Sequence, residues 1–113
     1  MASYAFAMPL VAGKTQTWRG YVAEMLGPRN GEYKESRRKA GMQKEEVWLQ
    51  STPMGEFVVV HLECDDPAKV FQFLLTSQDP FDQWFREKVF IESHGLDPSA
   101  PPPPINETIT LGP

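Results

Sequence analysis

The chain has 113 residues, of which 41% are hydrophobic and 12% aromatic, and its formal net charge is −4. This length and composition predict one globular domain and exclude an intrinsically disordered chain, which has too few apolar residues to form a core. The acidic balance argues against a nucleic-acid-binding protein, because such a protein needs a basic face.

The first predicted element is a strand over residues 4–11, "YAFAMPLV". Large and small side chains alternate with a period of two, which is typical of a strand with one buried face. Pro9 cannot donate a ladder hydrogen bond, so we expect the strand to end or bulge there. The residues expected on one face are Tyr4, Phe6, Met8 and Leu10.

After Gly13 the pattern changes to that of two helices. Apolar residues from position 18 to 26 follow the i, i+3, i+4, i+7 spacing of a helix that packs on a core. The glycines and proline at 27–31 predict an interruption, and a polar helix then ends at Gly41. We interpret Arg37-Arg38-Lys39 as solvent-exposed cations that complement the helix dipole, with an anion site or an interface contact as the alternative.

Residues 45–52 and 56–64 predict a β-hairpin around the turn "TPMG". If Ser51 faces Glu56, the residue numbers of every pair of cross-strand partners in this antiparallel hairpin add up to 107. One face of the hairpin then carries Val47, Leu49, Val58, Val60 and Leu62. The other face carries Glu46, Trp48, Gln50, Phe57, Val59, His61 and Glu63.

The rest of the chain predicts two helices and a last strand. Asp66-Pro67 and Asp79-Pro80 each combine an N-cap residue with a proline at the first helical position. Gly95 ends the second of these helices. We expect residues 98–106 to form a stiff proline-rich linker, followed by a fourth strand over residues 107–111, "ETITL".

This order of elements predicts a single α+β domain over residues 1–113. We expect a ferredoxin-like βαββαβ sandwich, with a four-stranded antiparallel sheet and the helices on one face. The second sheet face would bear Trp48 and Phe57, which are too apolar to stay in water. We therefore expect a twofold homodimer that packs sheet against sheet.

Cysteine content and the leading segment indicate a cytoplasmic protein. Cys64 is the single cysteine, so it excludes an intrachain disulfide and a cysteine-based zinc site, and we expect a buried structural thiol. The leading residues lack the positive start of a signal peptide, and Pro9 interrupts their apolar run. No segment approaches the roughly 20 apolar residues of a membrane span. We expect contact with neither a membrane nor a nucleic acid.

Several segments together carry a family resemblance over about residues 4–98. They are "GKTQTWRG", "SRRKAG", "EEVWLQSTPMGEFVVVHLE", "DDPAKVFQFL" and "SQDPFDQWFREKV", in which "SQDPFDQWF" is the most specific part. The chain resembles a family of small bacterial proteins of unknown function among the dimeric α+β barrels, the superfamily of antibiotic-biosynthesis-type monooxygenases. The resemblance implies the ferredoxin-like fold, a barrel-forming homodimer and a pocket between sheet and helices for a hydrophobic or aromatic molecule.

A narrower resemblance concerns heme. Trp84 and His94, within "QWFREKVFIESH", are similar in type and spacing to a helix of the heme-degrading monooxygenases of this superfamily. There the histidine ligates iron, and an asparagine on the first strand assists it. The matching position here is Phe6. Ten residues at about 100° each leave Trp84 and His94 about 80° apart, so a shared pocket would need a bent helix.

The strongest candidate for chemistry in the sequence is His61. In the predicted register it lies opposite Glu46, close enough for a carboxylate–imidazole hydrogen bond. Such a pair could serve as a general base for a phenol or an enol. The alternative is a polar contact within the dimer interface. His94, next to Gly95, is interpreted as a helix-terminal histidine, with a metal ligand or pocket base as the alternative.

Two functional hypotheses follow, and the sequence leaves open whether the protein is an enzyme. The first is a homodimer that binds a small hydrophobic or aromatic molecule. The second is a cofactor-free monooxygenase or isomerase with His61 as base and Glu46 as its orienting group; heme degradation is a distant third. No motif indicates a cofactor or metal. The candidate ligand-binding residues are Trp48, Trp84, Phe85, Arg38, Arg86 and His94.

Overall fold

A computed structural model, which describes residues 2–101 and 104–113, shows an α+β fold with helices packed on one face of an antiparallel sheet. In the described residues the sheet has three strands, in the order β1-β3-β2. The strands are β1 (Ala2–Pro9), β2 (Met42–Thr52) and β3 (Gly55–Cys64). The helices are α1 (Thr15–Leu26), α2 (Asn30–Ala40), α3 (Pro67–Thr76), α4 (Pro80–Phe85) and a π-helix (Arg86–Ser93) that continues α4.

The predicted hairpin register is confirmed. Ser51 pairs with Glu56, so all partners from there to the pair of Glu46 and His61 sum to 107. A bulge follows between Met42 and Lys44. The register matters for function because it decides which strand side chains face the helices and which face away from them.

The helices cover one face of the sheet, which we call the covered face. On β3 the residues Val58, Val60 and Leu62 are 2%, 6% and 2% exposed. The predicted β1 face joins them, with Tyr4 buried and Phe6 and Met8 packed against the core. On the opposite side, which we call the open face, no helix packs in the part of the chain that the structure describes. The open face carries Trp48, Phe57, Val59, His61, Ala5 and Ala7.

The predicted helix boundaries at the glycines and prolines are confirmed for α1, α2 and α3. The chain leaves α1 at Leu26 and enters α2 at Asn30. Gly41 ends α2 with a φ of 80°, a left-handed conformation that glycine adopts without strain. Asp66 caps α3, since its side chain accepts a hydrogen bond of 3.0 Å from the Ala68 backbone N–H.

The predicted final helix differs from the structure in its second half. Only six residues are α-helical, and the eight residues from Arg86 to Ser93 form a π-helix. The wider turn is held by a 3.1 Å hydrogen bond from the His94 backbone N–H to the Val89 carbonyl. The Ser93 hydroxyl, which is fully buried, donates to the Lys88 carbonyl at 2.8 Å. π-Helices are rare and frequently lie at functional sites.

The predicted fourth strand is absent from the structure. Residues 107–111 form no strand, although Asn106 donates from its side chain to the Ala5 carbonyl at 2.6 Å beside the free edge of β1. Ile109 and Leu111 are 71% and 95% exposed, so the segment lacks the packed face that stabilises a strand. Pro102 and Pro103 lie outside the described residues, and the stiff linker across them stays a prediction.

Candidate ligand-binding site

A cavity of about 300 Å³ lies between the covered face of the sheet and the helices. Its walls come from all eight described elements of the fold, which are β1, β2, β3, α1, α2, α3, α4 and the π-helix. Most of the lining side chains are apolar, as in sites for small hydrophobic molecules. The apolar walls include Phe6, Met8, Trp18, Val22, Met25, Val58, Val60, Leu62, Phe71, Leu74, Phe85, Val89 and Phe90.

The cavity opens between the end of α1 and the edge strand β2. Leu26 and Val47 both line the cavity, yet they are 75% and 40% exposed. Because one side of each residue faces solvent and another faces the cavity, the two mark its mouth. Apolar side chains at the mouth contact an entering apolar molecule and so reduce its exposure to water.

The π-helix determines which side chains form the wall opposite the sheet. Phe85, Val89, Phe90 and His94 all line the cavity. On an α-helix, nine residues at about 100° each would put Phe85 and His94 about 180° apart, on opposite sides. The wider π-turn brings both onto one wall.

Arg37 is the main polar group of the wall. Its side chain is only 6% exposed, and its Nε donates to Glu45 Oε1 at 2.9 Å. The guanidinium lies between two aromatic rings, 4.4 Å from Phe85 and 4.8 Å from Tyr33. Among the residues that the structure describes, Nη2 of Arg37 has no hydrogen-bond partner. Nη1 donates to Ser36 Oγ at 3.2 Å.

The interpretation of the basic run as solvent-exposed is therefore wrong for its first residue. Arg38 and Lys39 do lie at the surface, but Arg37 follows Tyr33 by one helical turn and faces the sheet with it. Glu45 explains why a charge is tolerated there. In the observed register Glu45 pairs with Leu62 and lies on the covered face, where a carboxylate needs a partner.

Tyr33 completes the network on Glu45. Its hydroxyl donates to Glu45 Oε1 at 2.6 Å, the same oxygen that accepts from Arg37. Burial raises the pKa of Tyr33, and the neighbouring Glu45 charge raises it further, so the phenol keeps its proton at neutral pH. Glu45 thus accepts one hydrogen bond from a charged donor, Arg37, and one from a neutral donor, Tyr33.

His94 is a further polar side chain of the cavity wall. Its Nδ1 lies 2.8 Å from the Pro9 carbonyl oxygen. A carbonyl can only accept, so Nδ1 carries the proton and Nε2 of the neutral ring is an acceptor. Burial lowers the pKa of His94, and the bond to the Pro9 carbonyl partly opposes that shift.

The predicted pair of His61 and Glu46 lies on the open face, on the other side of the sheet from the cavity. The two residues are cross-strand partners, as expected. Their nearest atoms, Nδ1 and Oε1, are 3.8 Å apart, which is too long for a hydrogen bond. His61 Nε2 lies 3.4 Å from Ser3 Oγ. The structure therefore does not bring this pair together with the cavity.

The candidate aromatic residues lie in three places. Trp48 is on the open face and is 52% exposed. Trp84 packs between helices, with its ring 5.7 Å from that of Tyr21 and 4.4 Å from the Arg29 guanidinium. Of the predicted aromatic set, Phe85 lines the cavity. The structure places His94 in the cavity wall, while Trp84 is not among its lining residues.

The two candidate anion-binding arginines have other partners. Arg38 is exposed and pairs with Glu35 on its own helix, with Nε 3.0 Å from Oε2. Arg86 donates at 2.8 Å to the carbonyls of both Leu74 and Ser77. Those carbonyls lie at the end of α3, so Arg86 caps that helix and ties it to the π-helix.

Comparison with protein-family models finds no match, and comparison with curated proteins finds no significant match. In the described part of the chain, no helix is long and apolar enough to cross a membrane. No group of three or more potential metal ligands occurs in the residues that the structure covers. The resemblance to the dimeric α+β barrels therefore stays an expectation from sequence motifs.

Proposed function

We propose that the protein binds a small, mainly apolar molecule, about the size of one or two aromatic rings, in the cavity on the covered face. The observation that supports this proposal is the cavity itself. Its volume of about 300 Å³ lies at the lower end of the range of small-molecule sites. An aliphatic and aromatic lining selects hydrocarbon over water, because water there finds few hydrogen-bond partners.

Packing gives a second argument for an occupied cavity. A wall atom that faces empty space or loosely held water lacks dispersion contacts that an apolar ligand would supply. Because a ligand that binds only the folded chain stabilises it by mass action, we expect ligand binding to raise the free energy of unfolding.

Part of the same proposal is a homodimer that forms through the open face, as in a dimeric α+β barrel. The supporting observation is an apolar patch formed by Trp48, Phe57, Val59, Ala5 and Ala7, which shares the open face with charged residues such as Glu46. The short side chains of the two alanines project little from β1, so a facing sheet can approach closely. Apolar patches of this kind on a folded chain mark interaction sites.

Cavity filling tests ligand binding. Val22 lines the cavity from α1, and its chain neighbour Ala23 is exposed on the same helix. In a titration with 1-naphthylamine, a neutral two-ring fluorescent probe, we expect Val22→Trp to weaken binding about tenfold, since the larger ring occupies the site. Ala23→Trp should bind like the wild type, and far-UV circular dichroism should show that both variants fold. Equal affinities for all three proteins would contradict the proposal.

A further inference from the structure

The polar side chains of the cavity differ in what they can offer a ligand. Those that line the cavity in the described chain are Tyr33, Arg37, Glu45 and His94. The Tyr33 hydroxyl already donates to Glu45, and Glu45 itself is an acceptor. His94 uses its Nδ1 proton on the Pro9 carbonyl, which leaves an acceptor nitrogen. Arg37 alone among these four side chains has an N–H group without a partner.

An unpaired N–H on a buried guanidinium is costly, so such a group normally has a partner of some kind. Arg37 is held in place on three sides, by Glu45, by Ser36 and by the rings of Tyr33 and Phe85. Its Nη2 is buried and has no hydrogen-bond partner among the described residues, and Arg37 is one of the residues that line the mainly apolar cavity. A small side-chain adjustment, common when a ligand binds, would give an acceptor access to it.

We propose that the natural ligand carries a neutral acceptor oxygen, such as an aryl ketone or aldehyde carbonyl, which accepts a hydrogen bond from Nη2 of Arg37. This inference rests on the proposed ligand-binding function and names the ligand class. The acceptor is neutral because Glu45, at 2.9 Å from Arg37, already balances the guanidinium charge. A ligand carboxylate would meet the Glu45 carboxylate in a cavity of low polarity, and like charges there repel strongly.

Two probes that differ in one carbonyl test the inference. Acetophenone and ethylbenzene have the same ring and chain length, and their dissociation constants can be measured by amide chemical-shift titration. Arg37→Lys keeps a cation beside Glu45 but lacks the free guanidinium N–H. We expect the ratio of the two dissociation constants to change about tenfold in favour of ethylbenzene in this variant. Arg38→Lys, the exposed neighbour, should leave the ratio as in the wild type.

A second measurement needs no variant and decides the point if Arg37→Lys fails to fold. The infrared carbonyl stretch of isotope-labelled acetophenone moves to lower frequency when the oxygen accepts a charged hydrogen bond. We expect such a shift in the wild-type complex relative to acetophenone in hexane. A bound carbonyl that absorbs at the hexane position would overturn the inference.

The outcomes separate the two proposals. If neither probe shifts the amide resonances of Val22 and Val60, ligand binding in the cavity fails, and this inference fails with it. If both probes bind there but the ratio is the same in wild type and Arg37→Lys, the cavity binds ligands and only the carbonyl contact is refuted. If benzoate binds more tightly than acetophenone, the ligand class is an anion and the neutral acceptor is wrong.

Discussion

At the scale of single residues, the cavity combines an apolar wall with two fixed polar positions. Arg37 and Glu45 are 6% and 16% exposed in their side chains, so their mutual attraction has to offset the loss of hydration. The Arg37 guanidinium also lies over the Tyr33 ring and over the Phe85 ring, and these contacts add a cation–π contribution. In the function that we propose, this buried guanidinium orients the ligand.

His94 provides a prediction about pH. Burial lowers its pKa in the folded state below the ordinary value of 6.5, so the unfolded chain binds the proton more tightly. The stability that depends on a neutral His94 is fully present above about pH 6.5. The free energy of unfolding should therefore decrease as the pH falls through that value. Urea denaturation between about pH 7.5 and 5.5 measures the decrease.

Asparagine can keep the donor to the Pro9 carbonyl while it removes the titration. We therefore expect His94→Asn to show a smaller decrease over that pH range than the wild type. His61→Asn, the matched control on the open face, retains His94 and should retain its contribution to the decrease. A His94→Asn curve that runs parallel to the wild-type curve would refute this account of the histidine.

At the scale of elements, the π-helix is the feature that shapes the cavity wall. It brings Phe85, Val89, Phe90 and His94 to one side, whereas a continuous α-helix would divide them. Arg86 joins its start to the end of α3, and the Ser93 hydroxyl satisfies the Lys88 carbonyl near its end. These bonds stabilise a turn that is intrinsically less favourable than an α-turn.

Helix α3 gives a prediction about capping. Asp66→Ala removes the side-chain acceptor of the Ala68 N–H, so the free energy of unfolding should fall by about 1 kcal/mol. Asp79, which also precedes a proline, makes no capping hydrogen bond and pairs only with exposed Lys39. Asp79→Ala should therefore cost less, about 0–0.5 kcal/mol. Urea denaturation compares the two, and equal losses would count against the cap.

At the scale of the whole molecule, the sheet separates two surfaces with different roles in the proposal. Its covered face encloses the cavity, and its open face presents Trp48 to solvent at 52% exposure. The cavity mouth at Leu26 and Val47 lies at the β2 edge rather than on the open face. A partner on the open face therefore leaves the mouth accessible, so dimer formation and ligand binding are compatible.

The homodimer gives a prediction about mass. We expect the wild type to sediment at about 25.6 kDa, twice the 12.8 kDa of one chain. Trp48→Glu puts a charge into the apolar part of the open face and should shift the protein to the mass of one chain. Met54→Glu is the control, because Met54 is 85% exposed in the hairpin turn, away from that face. A wild type that sediments as one chain at high concentration would refute the dimer.

Local patterns in the sequence determined most of the architecture. The period of two predicts the covered face of β1, and the turn "TPMG" sets a register in which Glu46 faces His61. Asp66 before Pro67 predicts the start of α3. These features depend on interactions between neighbouring residues or directly paired strands. They can therefore be predicted without knowledge of the rest of the fold.

Only the tertiary structure decided where the candidate site lies. Arg37 belongs to a run that looks solvent-exposed, and its burial depends on Glu45 and on two rings from other elements. The position of His94 in the wall depends on a π-turn, which the α-helical spacing of the sequence does not reveal. The exposed segment 107–111 has strand-like alternation but no packed face. Each outcome depends on contacts between residues far apart in the chain, and a local pattern carries no information about such contacts.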